Sequence, residues 1–239
     1  MKKLIVLLLL TTSILSSCEN FTQKEEKEGS GNVITQQSEA GSFDAINVSD
    51  GLNVYVIMGE KENIEVQADD NLMEYIKTEV NSGTLSIYVD DNVNLDMDNV
   101  KINVTAVELS QINASAGSDV VLQNTIKSEL FSCDVSSAAD VKLLIETENL
   151  SVNASSSGEV NIQGKADEVS LNASSAGEID GEQLKAINCK AQASSGGNVD
   201  ANVSGDLTAY ASSGGKINYS GNPTIKEIET SSGGSVNKN

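Results

Sequence analysis

Asp119, Asp140, Glu159 and Glu178 stand 21, 19 and 19 residues apart, so a repeating fold would set each carboxylate above the next. Paired carboxylates carry glycoside hydrolysis, one as acid and the other as base or nucleophile. A second oxygen-rich run, DDNVNLDMDN, fills residues 90–99. Within it Asp90, Asn92, Asn94, Asp96 and Asp98 alternate as calcium ligands do. Neither set completes its pattern. Counted from Asp90, an EF-hand loop requires Gly at the sixth place and a bidentate Glu at the twelfth, where this chain has Leu95 and Lys101. The glycine–aspartate nonapeptide of calcium-binding β-rolls is absent. The acidic column therefore reads as a solvated edge. Residues 90–99 read as a polar loop that holds the one weak calcium candidate.

Other chemistry is short of residues. The chain has no His, which removes the usual nucleophilic triads and the His-built zinc sites. Its three cysteines, Cys18, Cys133 and Cys189, are too scattered for a zinc cage. A β-helical polysaccharide lyase would need bases to abstract a proton and bind acidic sugar, yet there is no Arg, and aromatics make up only 3%. No catalytic residue and no cofactor is expected. A net charge of −20 leaves no basic stripe for phosphates, so nucleic acid is not an expected partner.

The elements that place these side chains follow from a repeat. Val120, Val141, Val160, Ile179, Val199, Ile217 and Val236 are spaced by 18 to 21 residues. Five places before each stands a serine: Ser115, Ser136, Ser155, Ser174, Ser194, Ser212 and Ser231. Six places before stand Ala114, Val135, Ala154, Ala173, Ala193, Ala211 and Thr230. Two places before stand Ser118 and Ala139, then Gly158, Gly177, Gly197, Gly215 and Gly234. A period near 19 is too short for two helices and a turn. Leu150-x-Val152-x-Ala154 and Val160-x-Ile162 alternate, which is strand periodicity. Short strands stacked coil on coil make an all-β, parallel β-helix, with a right-handed path expected. At about 4.8 Å per rung, seven coils give a rod of roughly 30 Å.

In this arrangement the Ala column lets opposite walls approach, and the Gly column is expected to supply corners with positive φ. The Ser column either links coils through its hydroxyls or faces water. Ala173→Phe should overpack a coil and cost about 1–3 kcal/mol. Cys133 and Cys189 lie three coils apart, roughly 14 Å, too far for a disulfide. Both are expected to be buried.

The chain opens with Lys2 and Lys3 and the apolar run Leu4–Leu10, too short to span a bilayer comfortably. LSSC at residues 15–18 resembles the lipobox of bacterial lipoproteins. That resemblance implies a signal peptide at 1–17 and lipidation of Cys18, the first mature residue. Two or three acyl chains would anchor stably where one would not. Residues 18–41 are polar and charged and read as a flexible tether. KEEKE at 24–28 resembles the charged signal that sends lipoproteins of Bacteroidetes-type bacteria to the cell surface. Anionic membranes would repel so acidic a chain, so the lipid must do the anchoring.

Residues 43–107 are less regular. IEVQA (64–68), LSIYV (85–89) and VKINV (100–104) read as strands. DDNLMEYIKTEV (69–80) reads as a short helix with Leu72, Met73 and Ile76 on one face and Asp69 or Asp70 as cap. This half is expected to form the wider end of the solenoid, and its N-terminal cap. FDAINVSDGLNVYV (43–56), DNLMEYIKTEVNSGTLSI (70–87) and the repeated SSGxV and GGKIN phrases resemble the auto-transporter adhesin head GIN domain family (DUF2807) over about residues 41–239. The resemblance implies a β-helical domain at 42–239 in an envelope protein, often a lipoprotein. It supplies no catalytic residues.

The expected function is a lipid-anchored scaffold or adhesin of the bacterial envelope, at the outer membrane, that binds a protein or glycan. The alternatives are an envelope-stress or regulatory partner and, as a minor reading, a carbohydrate-active enzyme.

Overall fold

The computed structural model describes residues 24–38 and 40–239. Its strands, in chain order, begin with β1 (Glu25–Lys27), β2 (Val33–Ser38), β3 (Ala45–Val48), β4 (Asn53–Met58), β5 (Asn63–Asp69), β6 (Ile76–Asn81) and β7 (Thr84–Val89). They continue with β8 (Val93–Leu95), β9 (Lys101–Ala106), β10 (Gln111–Ala114), β11 (Asp119–Leu122), β12 (Ile126–Val135), β13 (Asp140–Ala154), β14 (Glu159–Ala173) and β15 (Glu178–Ala193). The last are β16 (Asn198–Val203), β17 (Asp206–Ala211), β18 (Lys216–Gly221), β19 (Thr224–Thr230) and β20 (Ser235–Lys238).

The repeat becomes a parallel ladder in the expected register. Val120 pairs with Val141, Val141 with Val160, Val160 with Ile179, Ile179 with Val199, Val199 with Ile217 and Ile217 with Val236. All but the last of these are fully buried. Each such side chain contributes about 1.5–3 kcal/mol by leaving water. Ala154, Ala173, Ala193 and Ala211 also fall on successive rungs and face inward. The Ala173→Phe expectation therefore stands on the structure, because no inward wall can retreat without breaking rung bonds. Its check is a lower melting temperature than wild type.

The serine column runs along the corner, half-buried through most of its length. Its coil-to-coil links are main-chain bonds. Ser155, Ser174, Ser194 and Ser212 each donate N–H to the inward residue of the rung before, at 2.9–3.0 Å. The turn that follows corrects one expectation. Gly158, Gly177, Gly197 and Gly215 do not have positive φ. The two residues before each of them do: Ser156 and Ser157, Ser175 and Ala176, Ser195 and Gly196, Ser213 and Gly214. Consecutive left-handed residues closed by an i to i+3 bond, such as Gly177 N–H to Ser174 C=O at 2.8 Å, form a tight turn of type I′ kind. The glycine is required for room. A Cβ at Gly177 would lie 2.4 Å from the carbonyl oxygen of Ala154 one rung below.

The N-terminal half is laid down out of spatial order. β3 and β4 form a rung that receives β10 and β11 on one side, with Ile46 opposite Ile112 and Val54 opposite Val120. The intervening chain goes to the other side, where β7 pairs with β3 and β9 with β4. Antiparallel strands then finish this end: β6 on β7, β5 on β9 and β2 on β5. The wider end and cap expected for residues 43–107 take this form. The helix expected at 69–80 is a single 3-10 turn at Met73–Tyr75, capped by neither Asp69 nor Asp70, and the chain from Ile76 is strand β6.

The tether expectation is corrected in part. Residues 24–38 are not a free linker. β1 pairs in parallel with β8, and β2 pairs along its whole length with β5. Between them, Ser30 Oγ donates to Asp70 Oδ1 at 2.6 Å, Asn32 Nδ2 donates to Asp70 Oδ2 at 2.8 Å, and Asn71 Nδ2 donates to the Glu28 carbonyl at 2.9 Å. Polar composition suggested disorder because the strap buries few apolar side chains. Ladder bonds and side-chain amides hold it instead. These bonds lower the Asp70 carboxyl below its ordinary value, chiefly through Ser30 and then Asn32. A carboxylate with a depressed folded pKa supports docking above its unfolded pKa and withdraws that support as pH falls through the depressed value. The strap should therefore hold at pH 5–7 and loosen below about pH 3.8. Hydrogen exchange at the Ser30 and Asn32 amides, each normalised to its intrinsic rate, checks this. Unchanged protection at pH 2.5 would contradict it. Residues 18–23 lie outside the described part of the chain, as do Cys18 and the signal segment 1–17.

Candidate functional site

On one face of the solenoid every other side chain points outward, and one outward column is rich in amides. Asn47, Asn113, Asp134, Asn153 and Asn172 occupy matching places on β3, β10, β12, β13 and β14. They bond along the stack. Asn113 Nδ2 donates to Asn47 Oδ1 at 2.7 Å, Asn153 Nδ2 to Asp134 Oδ1 at 2.7 Å, and Asn172 Nδ2 to Asn153 Oδ1 at 3.0 Å. The parallel register permits this, because matching outward positions sit one rung apart; Asn113 and Asp134, though paired in register, are not bonded to each other.

The column becomes the floor of a groove because one rung is longer than its neighbours. β3 ends at Val48 and turns at Asp50 and Gly51, both with positive φ. Its partner β7 pairs Ile87 with Val48 and then continues through Val89. Val89 N–H bonds Asp50 Oδ2 at 3.2 Å, which ties the overhang to the neighbouring turn. Tyr88 and Asp91 are thereby carried past the corner and stand as a wall. The concavity, about 800 Å³, runs from Ser86, Tyr88 and Asp91 over Asn47, Asn113 and Asp134 to Asn153 and Ser155. Five rungs give it a length of about 19 Å. Its volume lies within the usual range for small-ligand sites. No Lys lines it. The Tyr88 hydroxyl is raised above its ordinary pKa by burial and then by the carboxylates of Glu79, Asp91 and Asp90.

A second concavity of about 530 Å³ lies on another outward face, between Leu130 and Lys226. It carries both signs of charge, from Glu168 and Asp206 and from Lys190 and Lys226. Leu130, 63% exposed, stands at its edge.

The residues singled out from sequence fall elsewhere. Asp119, Asp140, Glu159 and Glu178 do stack rung on rung. They line an edge beside the turn, where burial and then Glu159 push Asp140 up. The 90–99 run is split among a turn, the strand β8 and a second turn. Asp90 Oδ1 accepts from Asn92, Asn94 Nδ2 donates to Glu26 Oε1, and Asp96 Oδ1 accepts from the Asp98 amide. Asp90 and Asn92 are thus bonded to each other, Asn94 to Glu26 and Asp96 to the Asp98 main chain. Among the described residues no three His, Cys, Asp or Glu side chains gather as a metal cage. Cys133 and Cys189 are free and buried, and burial pushes the Cys189 thiol up to about 12. The groove itself was missed by sequence reasoning. Its walls come from segments far apart in the chain, although the Asn seven places before Val120, Val160 and Ile179, with Asp134 before Val141, was a usable signal.

These features define a class: a parallel β-solenoid with a polar, ladder-floored surface groove. The chain belongs to the family described as "Putative auto-transporter adhesin, head GIN domain" (DUF2807), whose model matches residues 42–223. The match brings an adhesin-type, cell-envelope character. Among solved structures, one titled a putative adhesin from Bacteroides fragilis is similar at 23% identity and a TM-score of 0.83, covering 89% of this chain and 99% of its own. One titled a putative lipid binding protein from Parabacteroides distasonis is similar at 24% identity and a TM-score of 0.71, covering 90% and 100%. One titled a putative adhesin from Parabacteroides merdae is similar at 18% identity and a TM-score of 0.73, covering 90% and 99%. At these identities the likeness establishes the fold. No curated protein matches the chain.

Proposed function

We propose that this protein is a lipid-anchored, adhesin-like binding protein of the bacterial envelope, held through Cys18 at the outer membrane, and that it takes its ligand in the groove over the Asn47–Asn153 ladder. The groove carries the reading. It is the larger of the two concavities, neighbouring floor side chains are bonded to one another at Asn47–Asn113 and Asp134–Asn153, and the one hydroxyl–carboxylate contact within its lining, Ser49 to Asp50, shares that carboxylate with the Val89 amide. Ligand capture, with no chemistry on the ligand, is what such a surface supports. Membership of an adhesin-head family points the same way. The lipobox-like LSSC supports the anchor.

The test uses the full-length chain in its bacterium. Cys18→Ala should move the protein out of the membrane fraction, and wild type should incorporate an alkyne fatty acid. Shaving of intact cells with added protease should remove the domain. A domain untouched by shaving would instead favour the alternative, a periplasmic regulatory partner. Tyr88→Ala with Asn113→Ala should lower binding of domain-coated beads to target surfaces while the melting temperature stays close to wild type.

A further inference from the structure

We infer that the groove binds a neutral, polyhydroxylated chain, an oligosaccharide, laid along the ladder. This rests on the reading of the groove as the binding site and names the class of its occupant. Three observations carry it. The first is charge. The lining holds Asp50, Asp91 and Asp134 and no Lys, in a chain of net charge −20, so a polyanion is repelled. The second is the state of those carboxylates. Asp50 Oδ2 already accepts from Ser49 Oγ and Val89 N–H, and Asp134 accepts from Asn153 Nδ2 and Ser132 Oγ. Two of the three are committed to internal hydrogen bonds, which suits a lone pair to one more hydroxyl better than to a buried cation. Only Asp91, exposed at the rim, remains for a charge.

The third observation is the repeat. Asn113 and Asn153 each give one amide N–H to the neighbouring rung, which leaves each a second N–H for a ligand. Polar groups, amides at Asn47, Asn113 and Asn153 and a carboxylate at Asp134, thus recur at about 4.8 Å along the floor, a spacing on the scale of one sugar in an extended chain. A polypeptide would present apolar side chains, and the floor has no apolar slots at that spacing: Val48, Ala114 and Val135 beneath it are buried. Tyr88 supplies the single aromatic wall on which a sugar face can rest, at one end of the row.

The experiment is titration calorimetry of the intact domain against soluble probes. Neutral tetra- to hexasaccharides of gluco, manno, xylo and galacto configuration form one set, with oligolysine and polygalacturonate as counter-probes. The expected result is heat with at least one neutral probe, nearly independent of salt and lowered tenfold or more by Tyr88→Ala. Asn113→Leu should lower it similarly, with an unchanged circular dichroism spectrum and melting temperature certifying the fold. Oligolysine binding that fades with salt, or polygalacturonate binding, would overturn the class while leaving the groove as the site, provided the same variants abolish it. Saccharide binding that neither variant alters would overturn the assignment to this groove. Silence from every neutral probe would overturn the class. In that case, wild-type beads that still hold to target surfaces while the double variant does not would preserve the groove reading.

Discussion

Gly177→Ala should lower stability by about 3 kcal/mol, the upper part of the range for overpacking a well-filled interior. The methyl carbon would sit 2.4 Å from the carbonyl oxygen of Ala154 and 2.5 Å from its carbonyl carbon. Both are backbone atoms held in a rung. Relief requires the rungs to part, and parting them stretches the Ser174 to Ala154 bond of 2.9 Å together with its neighbours. For a domain of this size the loss corresponds to a melting temperature about 6–12 °C lower. Gly196→Ala is the control. It has positive φ but nothing within 4 Å of its Cβ position, and its counterpart one rung away is already Ala176. It should cost about 1 kcal/mol, the left-handed penalty alone. Equal losses from the two substitutions would show that conformational freedom, and not room, selects glycine in this column. Thermal denaturation of the paired variants decides between them.

Phe131→Ala should cost about 3–5 kcal/mol. Phe131 is fully buried and stands directly under Leu150 in an inward column that continues through Val169, Cys189 and Leu207. The cavity left behind cannot readily close, because Phe131 is laddered to β13 and the chain is bonded on both sides from the next residue, Ser132, onward. In a stack where each coil touches chiefly its neighbours, the damage should be local. Hydrogen exchange should therefore quicken first in β12 and β13, while the far coils β17 to β20 keep their protection. Phe131→Leu retains most of the volume and should cost under about 1.5 kcal/mol. An alanine variant with wild-type melting would mean that the column can collapse and that the rung spacing is soft.

The repeat was legible because each column has a reason that acts at every rung. Val141 and Val160 are buried alike, and Ser136 and Ser155 turn alike, so composition at one offset reports geometry at all of them. The reasons themselves were less legible. That the turn's positive φ falls on Ser175 and Ala176 while Gly177 makes room depends on the approach of the neighbouring rung, which no single coil encodes. The skip from β4 to β11 broke the period. FDAINVSDGLNVYVIMG (43–59) echoes the repeat in sequence, but Val54 and Val120 are 66 residues apart, so its place directly beside the Val120 rung was not legible. At 69–80 a three-residue apolar face was read as helix. Ser82-Gly83, both left-handed, was the two-residue hairpin signal that makes β6 and β7 antiparallel strands. The groove combines a repeated Asn with an overhang of β7, and an overhang is visible only once the partner strand is known.

The docked strap changes the reach of the whole molecule. With Cys18 as the lipid-bearing residue, a linker running free to residue 42 could hold the solenoid on a leash of up to about 80 Å. With β1 and β2 fastened to β8 and β5, only about six residues remain between the acyl chains and the first fixed strand, a standoff of about 20 Å at most. An acidic body kept so near a bilayer would be restricted in how it can tilt, so the sweep of its groove would depend on whether Asp70 keeps the fastening closed.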